Sequence, residues 1–171
     1  MSGNGMEILL LTPLLMVPAM AYSSGHGDEK SLLKGIRRIL VSVKAAPELT
    51  AAEVSTTALR NVLELQIASS GVDVASTTEA SDATLLVFLN GMALEAVRGS
   101  RHWIVHVSLR LQQPAQLLRT GTPFRGGTWH RTTMFWIPPE EEMIRAVKQR
   151  VTYLTDLLLS DLAGANPREN G

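Results

Sequence analysis

Residues 102–112 read His102-Trp103-Ile104-Val105-His106-Val107-Ser108-Leu109-Arg110-Leu111-Gln112. Trp103, Val105, Val107, Leu109 and Leu111 point one way, whereas His106, Ser108, Arg110 and Gln112 point the other, which is the period-two pattern of a β-strand. A strand with one apolar and one polar side belongs to a sheet covered on one face and solvated on the other. Upstream, residues 83–89 are almost continuously apolar, as expected of a strand buried on both sides. The following Asn90-Gly91 reads either as a tight hairpin turn or as a bulge in a strand that continues to Val97. Downstream, residues 113–123 form a connection, and residues 128–137 a last strand, with Gly126-Gly127 as a bulge or kink at its start.

The earlier part of the domain supplies two more strands and a helix. Residues 36–43 alternate, with Ile39, Val41 and Val43 opposite Arg38 and Ser42. Pro47 ends that strand. Thr50-Ala51-Ala52-Glu53 has the form of a capping box, in which the hydroxyl and the carboxylate each satisfy an orphan amide. A helix from Thr50 would present Val54, Ala58, Val62, Leu65 and Ser69 on one face, and Gly71 fits the left-handed position after its end. Residues 72–75 form a short strand, and residues 76–82 a polar link. At the other end, Pro138-Pro139 stops the sheet. Glu140, Glu141 and Glu142 suit the first turn of a closing helix, near its partly positive end. Ile144, Val147, Val151, Leu154, Leu158 and Leu162 form its apolar face, and Gly164 and Asn166-Pro167 stop it.

The resulting order is β-α-β-β-β-β-α. It predicts an α+β domain built on a single mixed β-sheet with two helices packed on one face. A right-handed crossover places the first two strands parallel.

The chain has 171 residues and no net charge. Residues 8–17 are a short apolar run leading to Ala19-Met20-Ala21, the small-residue pattern of a signal-peptidase site. The segment has no basic residue before it, only Glu7, and Pro13 and Pro18 interrupt it. Its 14 residues from Ile8 to Ala21 fall short of the roughly 20 that a spanning helix needs. The expected organisation is therefore a signal peptide over residues 1–21, a flexible leader over 22–35, one domain over 36–166 and a disordered tail over 167–171. The expected location is periplasmic or secreted, with no transmembrane span after cleavage. There is no cysteine, which excludes a disulfide scaffold, a thiol nucleophile, a cysteine zinc site and a lipid-anchored cysteine. Neutral net charge disfavours nucleic acid as a partner.

Catalytic motifs are absent. No serine sits in a Gly-x-Ser-x-Gly elbow, and Asp73, Asp82 and Glu95 are scattered. Gly126-Gly127 is followed by neither a lysine nor a helix, so no phosphate loop forms. His102 and His106 share a strand face at about 13 Å, too far apart for both to ligate one ion at about 2.1 Å. His130 can approach one of them across a hairpin, but no carboxylate between residues 96 and 139 completes a site. The sequence thus implies no cofactor and no metal. A triad assembled in space is not legible from sequence, which leaves a small envelope hydrolase with a His/acid site as the alternative function.

One anomaly stands out. Residues 96–139 hold six arginines, three histidines and three tryptophans, but no lysine and no acid. Guanidinium forks match phosphate and carboxylate groups. Arg98, Arg101, Arg110, Arg125, Arg131, His106 and His130 therefore form the candidate binding set of a basic β-hairpin. Its expected partner is another envelope protein or an anionic envelope component. The bland alternative is a solvated face.

Val41, the Gly71-Val72-Asp73-Val74 step, the strand at 83–89 and the closing helix together resemble the amino-terminal α/β domain of the TolB family. Related small domains occur in curli-assembly and penicillin-binding-protein activator lipoproteins. The resemblance covers residues 36–166 and carries no diagnostic motif. It implies a non-enzymatic interaction module of the cell envelope and assigns no site residue.

Overall fold

The computed structural model describes residues 30–95, 101–138 and 142–167. Its strands are β1 (Arg38–Ala45), β2 (Asp73–Val74), β3 (Ala83–Glu95), β4 (Arg101–Gln116) and β5 (Pro123–Ile137). Its helices are α1 (Pro47–Ala51), α2 (Thr56–Ser69) and α3 (Met143–Ala165). The strands form one mixed sheet in the order β2-β1-β3-β4-β5. β1 runs parallel to both β2 and β3, as the crossover rule predicts for the first pair, and β3, β4 and β5 follow antiparallel.

The alternation in residues 102–112 sets the covered face. Leu85, Leu111 and Trp129 lie in one row across β3, β4 and β5, and all are buried. Val41, Val87, Leu89, Val105, Val107 and Leu109 extend this layer. α2 closes it with Leu59, Leu63 and Ile67, and α3 with Val147, Val151, Leu154, Leu158 and Leu162. Each such side chain contributes roughly 1.5–3 kcal/mol on burial. The two helices also meet: Gln66 Nε2 donates to the Thr152 carbonyl at 3.1 Å and to Asp156 Oδ1 at 2.6 Å.

The first helix differs from its expected form. Proline lacks an N–H and has a preset φ, so it fits the first helical position, and the short helix α1 begins at Pro47 rather than Thr50. The Thr50 hydroxyl turns back to the Ala46 carbonyl, and Glu53 breaks the chain at φ 65°, so the capping box does not form. Ser55 caps α2 instead, its Oγ accepting from the Ala58 N–H at 3.2 Å. The expected apolar stripe is rotated as a result. Val54 is buried but precedes the helix, so it does not set the phase, and Leu65 is 72% exposed.

Asn90-Gly91 is neither a turn nor a bulge. β3 runs through it in unbroken register, with Asn90 opposite His106 and Gly91 opposite Val105. The glycine makes room for Leu49 of α1, because a Cβ at position 91 would lie 2.4 Å from Leu49 Cδ2. The expected connection over residues 113–123 shortens to Leu117–Thr122, since β4 and β5 pair as far as Gln116 and Pro123. A register shift opposite Leu111 and Gln112 leaves Thr128 as the extra residue beside Gly126-Gly127, the irregularity expected there. Gly71 takes the left-handed conformation expected after α2, with φ 86°.

α3 begins at Met143, with Glu142 as its N-cap and no acid in its first turn. Glu140 and Glu141 lie outside the described residues. Ile144 is 41% exposed rather than core. The helix runs through Gly164 to Ala165. Asn166 then donates to the Leu162 and Leu33 carbonyls and accepts from the Gly35 N–H. This ties down residues 30–35, the described part of the expected leader, where Leu33 is fully buried. The expected signal segment and the last four residues of the expected tail lie outside the described residues.

Candidate functional site

Both helix layers lie on one side of the sheet, so the other side is open. Across β3, β4 and β5 its side chains form rows: Leu86, Arg110 and His130; Phe88, Ser108 and Thr132; Asn90, His106 and Met134; Met92, Ile104 and Trp136. None of the open-face positions of β1, β3, β4 or β5 is Asp or Glu.

The basic end of this face surrounds the β5 bulge. Arg110, Gln112, Phe124, Arg125, Gly127 and His130 line a groove of about 520 Å³. Arg110 is exposed and runs beside Gly127, where a Cβ would lie 3.7 Å from its Cδ. Arg125 reaches across β4 so that one terminal nitrogen donates to Thr84 Oγ1 at 3.1 Å, while its Nε is buried without a hydrogen-bond partner. Among the described residues neither arginine has a carboxylate within ion-pair distance.

The two histidines nearest the groove engage hydroxyls. His130 Nε2 lies 3.0 Å from Ser108 Oγ. His106 Nε2 contacts Thr132 Oγ1, which itself donates to the Val107 carbonyl at 3.1 Å. A hydroxyl so committed is not an activated nucleophile. Ser108-His130 is the nearest approach to a catalytic pair. The open-face positions of β3, β4 and β5 around it include no acid, and Ser108 is only 8% exposed. Among the described residues no group of three or more His, Asp or Glu side chains could hold a metal ion.

The structure divides the basic set that the sequence groups together. Arg110, Arg125, His106 and His130 share the open face. Arg131 lies on the covered face. It pairs with Asp161 of α3 at 3.6 Å and stacks over Trp129 at 5.1 Å, while Trp129 Nε1 donates to Asp161 Oδ2 at 2.9 Å. Arg131 thus departs from its expected place in a docking surface. Arg125 and Arg131 are six residues apart and would share a face in a regular strand. The extra residue at the bulge inverts the alternation between them. Arg101 sits at the exposed end of the sheet, on the side away from the open face and opposite Glu95. Arg98 lies outside the described residues.

Sequence reasoning missed the apolar end of the open face. Met134 is 67% exposed, Trp136 57% and Met92 56%, and Trp136 stacks on His102 at 5.1 Å. The available signal was parity, because residues 130, 132, 134 and 136 share one side of β5 above the bulge.

No family model and no curated protein matches the chain. Solved structures with a similar fold include a dodecamer of a PelC variant from Paraburkholderia phytofirmans, 16% identical with a TM-score of 0.46, covering 75% of this chain and 89% of that one. Lipoprotein GNA1162 from Neisseria meningitidis is 14% identical with a TM-score of 0.34, covering 72% and 98%. The rare lipoprotein B from Shewanella oneidensis is 17% identical with a TM-score of 0.32, covering 73% and 94%. No described helix of this chain is long and apolar enough to cross a membrane.

Proposed function

We propose that this protein is a non-enzymatic module of the cell envelope that docks an anionic envelope component at the groove formed by Arg110, Arg125 and His130. The observation that carries this reading is two arginines without described carboxylate partners, on the part of the open face formed by β3, β4 and β5, where no described residue is an acid. A partly buried guanidinium with an unsatisfied Nε gains from an incoming anion, because charge-assisted hydrogen bonds replace the lost solvation. Arg110 supplies a second fork within the same groove. The segment Ile8 to Ala21 supports delivery to the periplasm or secretion. The TolB-like resemblance implies the same class of protein.

The test is an Arg110→Glu/Arg125→Gln variant. Arg110 is exposed and has no carboxylate partner among the described residues, so its replacement changes stability by about 0.5 kcal/mol or less. The protein is used to capture ligands from an envelope extract at low and high salt. The wild type retains a component that salt releases, and the variant loses it while keeping its circular dichroism spectrum and melting temperature. A folded variant that retains every captured component refutes the reading. The hydrolase alternative requires turnover that a Ser108→Ala or His130→Ala variant abolishes.

A further inference from the structure

The two edges of the sheet differ. β2 ends one side and is only two residues long. β5 ends the other and runs for 15 residues, hydrogen-bonded on one side to β4 alone among the described strands. Proteins protect long edges with lysine, inward-pointing charge, proline or bulges. β5 has its proline at the first position and its bulge beside Thr128. From Trp129 to Ile137 it carries no proline, no lysine and no acid, and its one inward-pointing charge, Arg131, is paired with Asp161 of α3. Two of the most exposed apolar side chains of the sheet, Met134 and Trp136, stand on this stretch.

The charge along β5 selects the occupant of that edge. Its basic residues, Arg125, His130 and Arg131, all precede the uncharged run Thr132-Thr133-Met134-Phe135-Trp136-Ile137. A parallel copy of the strand would set Arg131 beside Arg131, which is unfavourable. An antiparallel copy, with its twofold axis near Thr132-Thr133, lays the basic half of each strand along the aromatic half of the other. Threonines then face each other at the axis, a favourable cross-strand pair. The arrangement is self-complementary, as an isologous interface requires.

We propose that β5 pairs edge to edge with β5 of a second copy of this chain, antiparallel, joining two five-stranded sheets into one. The proposal does not depend on the anion groove.

The natural absence of cysteine makes single-cysteine variants direct reporters. In the antiparallel pair, Thr132→Cys lies beside its counterpart and cross-links on mild oxidation or with a short bismaleimide. Phe124→Cys, itself exposed, lies about 56 Å from its counterpart, since eight to nine residues at roughly 3.3 Å separate each from the axis, and does not cross-link. The expected result is therefore linkage at position 132 only, with sedimentation of the unmodified full-length protein giving twice the mass of one chain. The Arg110→Glu variant, on β4 rather than β5, keeps that doubled mass, which separates this proposal from the docking reading. A single-chain mass across a concentration series overturns the proposal, whether β5 is then idle or takes an extended segment of another protein. Equal linkage at both positions indicates parallel pairing and overturns it as well.

Discussion

Replacing Asp161 tests which arginines belong to the fold rather than to the open face. Trp129 is only 2% exposed, and its indole N–H donates to Asp161 at 2.9 Å. Asp161→Ala strands that donor inside the protein, a loss of about 1–3 kcal/mol. It also removes the ion pair with Arg131, in which both side chains are about a quarter exposed and which is worth at most about 1 kcal/mol. Lys30, at 4.0 Å and largely exposed, adds little. The expected total is about 2–3 kcal/mol. With a urea slope of about 2 kcal/mol/M, this lowers the unfolding midpoint by about 1 M. Asp161→Asn keeps an acceptor for the indole and should cost about 1 kcal/mol or less. Arg131→Ala loses the pair and the stack over Trp129, about 0.5–1.5 kcal/mol. The assay is urea unfolding of the three variants, followed by tryptophan fluorescence. The reasoning fails if Asp161→Asn is as damaging as Asp161→Ala, because charge rather than the acceptor would then dominate. It also fails if Arg131→Ala is the worst of the three.

Two further substitutions test the local departures of the fold from its sequence pattern. Gly91→Ala should destabilise by about 1–3 kcal/mol through overpacking against the fully buried Leu49, although alanine in a strand ordinarily gains about 0.5–1 kcal/mol over glycine; urea unfolding of a neutral or stabilised variant would show that Leu49 has room to move. Ser55→Ala should cost about 1 kcal/mol by removing the α2 cap, whereas Thr50→Ala should change stability by no more than about 0.5 kcal/mol; the opposite ranking of melting temperatures would place the helix start at Thr50.

The sheet was legible wherever alternation was strict. In β4 every side chain assigned to a face from residues 102–112 lies on that face, because burial on one side fixes register. The face of α3 was legible for the same reason, through its repeats from Val147 to Leu162. What failed were phase errors. In α2 the expected stripe begins at Val54, a buried residue that precedes the helix, and this rotates it. In β5 the glycine pair marks the bulge, but the inversion of parity beyond Thr128 has no signal in the local pattern. The open face carried no motif, so its groove emerges only when Thr84 of β3, Arg110 of β4 and Arg125 of β5 are brought into register.

That inversion changes what the acid-free stretch means. Read as composition, residues 96–139 form a single basic surface, and Arg131 is as good a candidate as Arg110. Read in register, the described arginines occupy separate environments. Arg131 finds its carboxylate on α3, across a helix–sheet contact that no local window contains. Arg101 faces Glu95 across the hairpin, just outside the window. Among the described residues, Arg110 and Arg125 remain on the open face without a carboxylate within ion-pair distance. The proposed docking draws on the arginines that no described carboxylate compensates, since paired arginines contribute mainly to the fold. The two groups should therefore respond oppositely: Arg131 substitutions move stability first, whereas Arg110 and Arg125 substitutions move ligand capture first. A reversal of that order would mean that the open-face arginines serve the sheet rather than a partner.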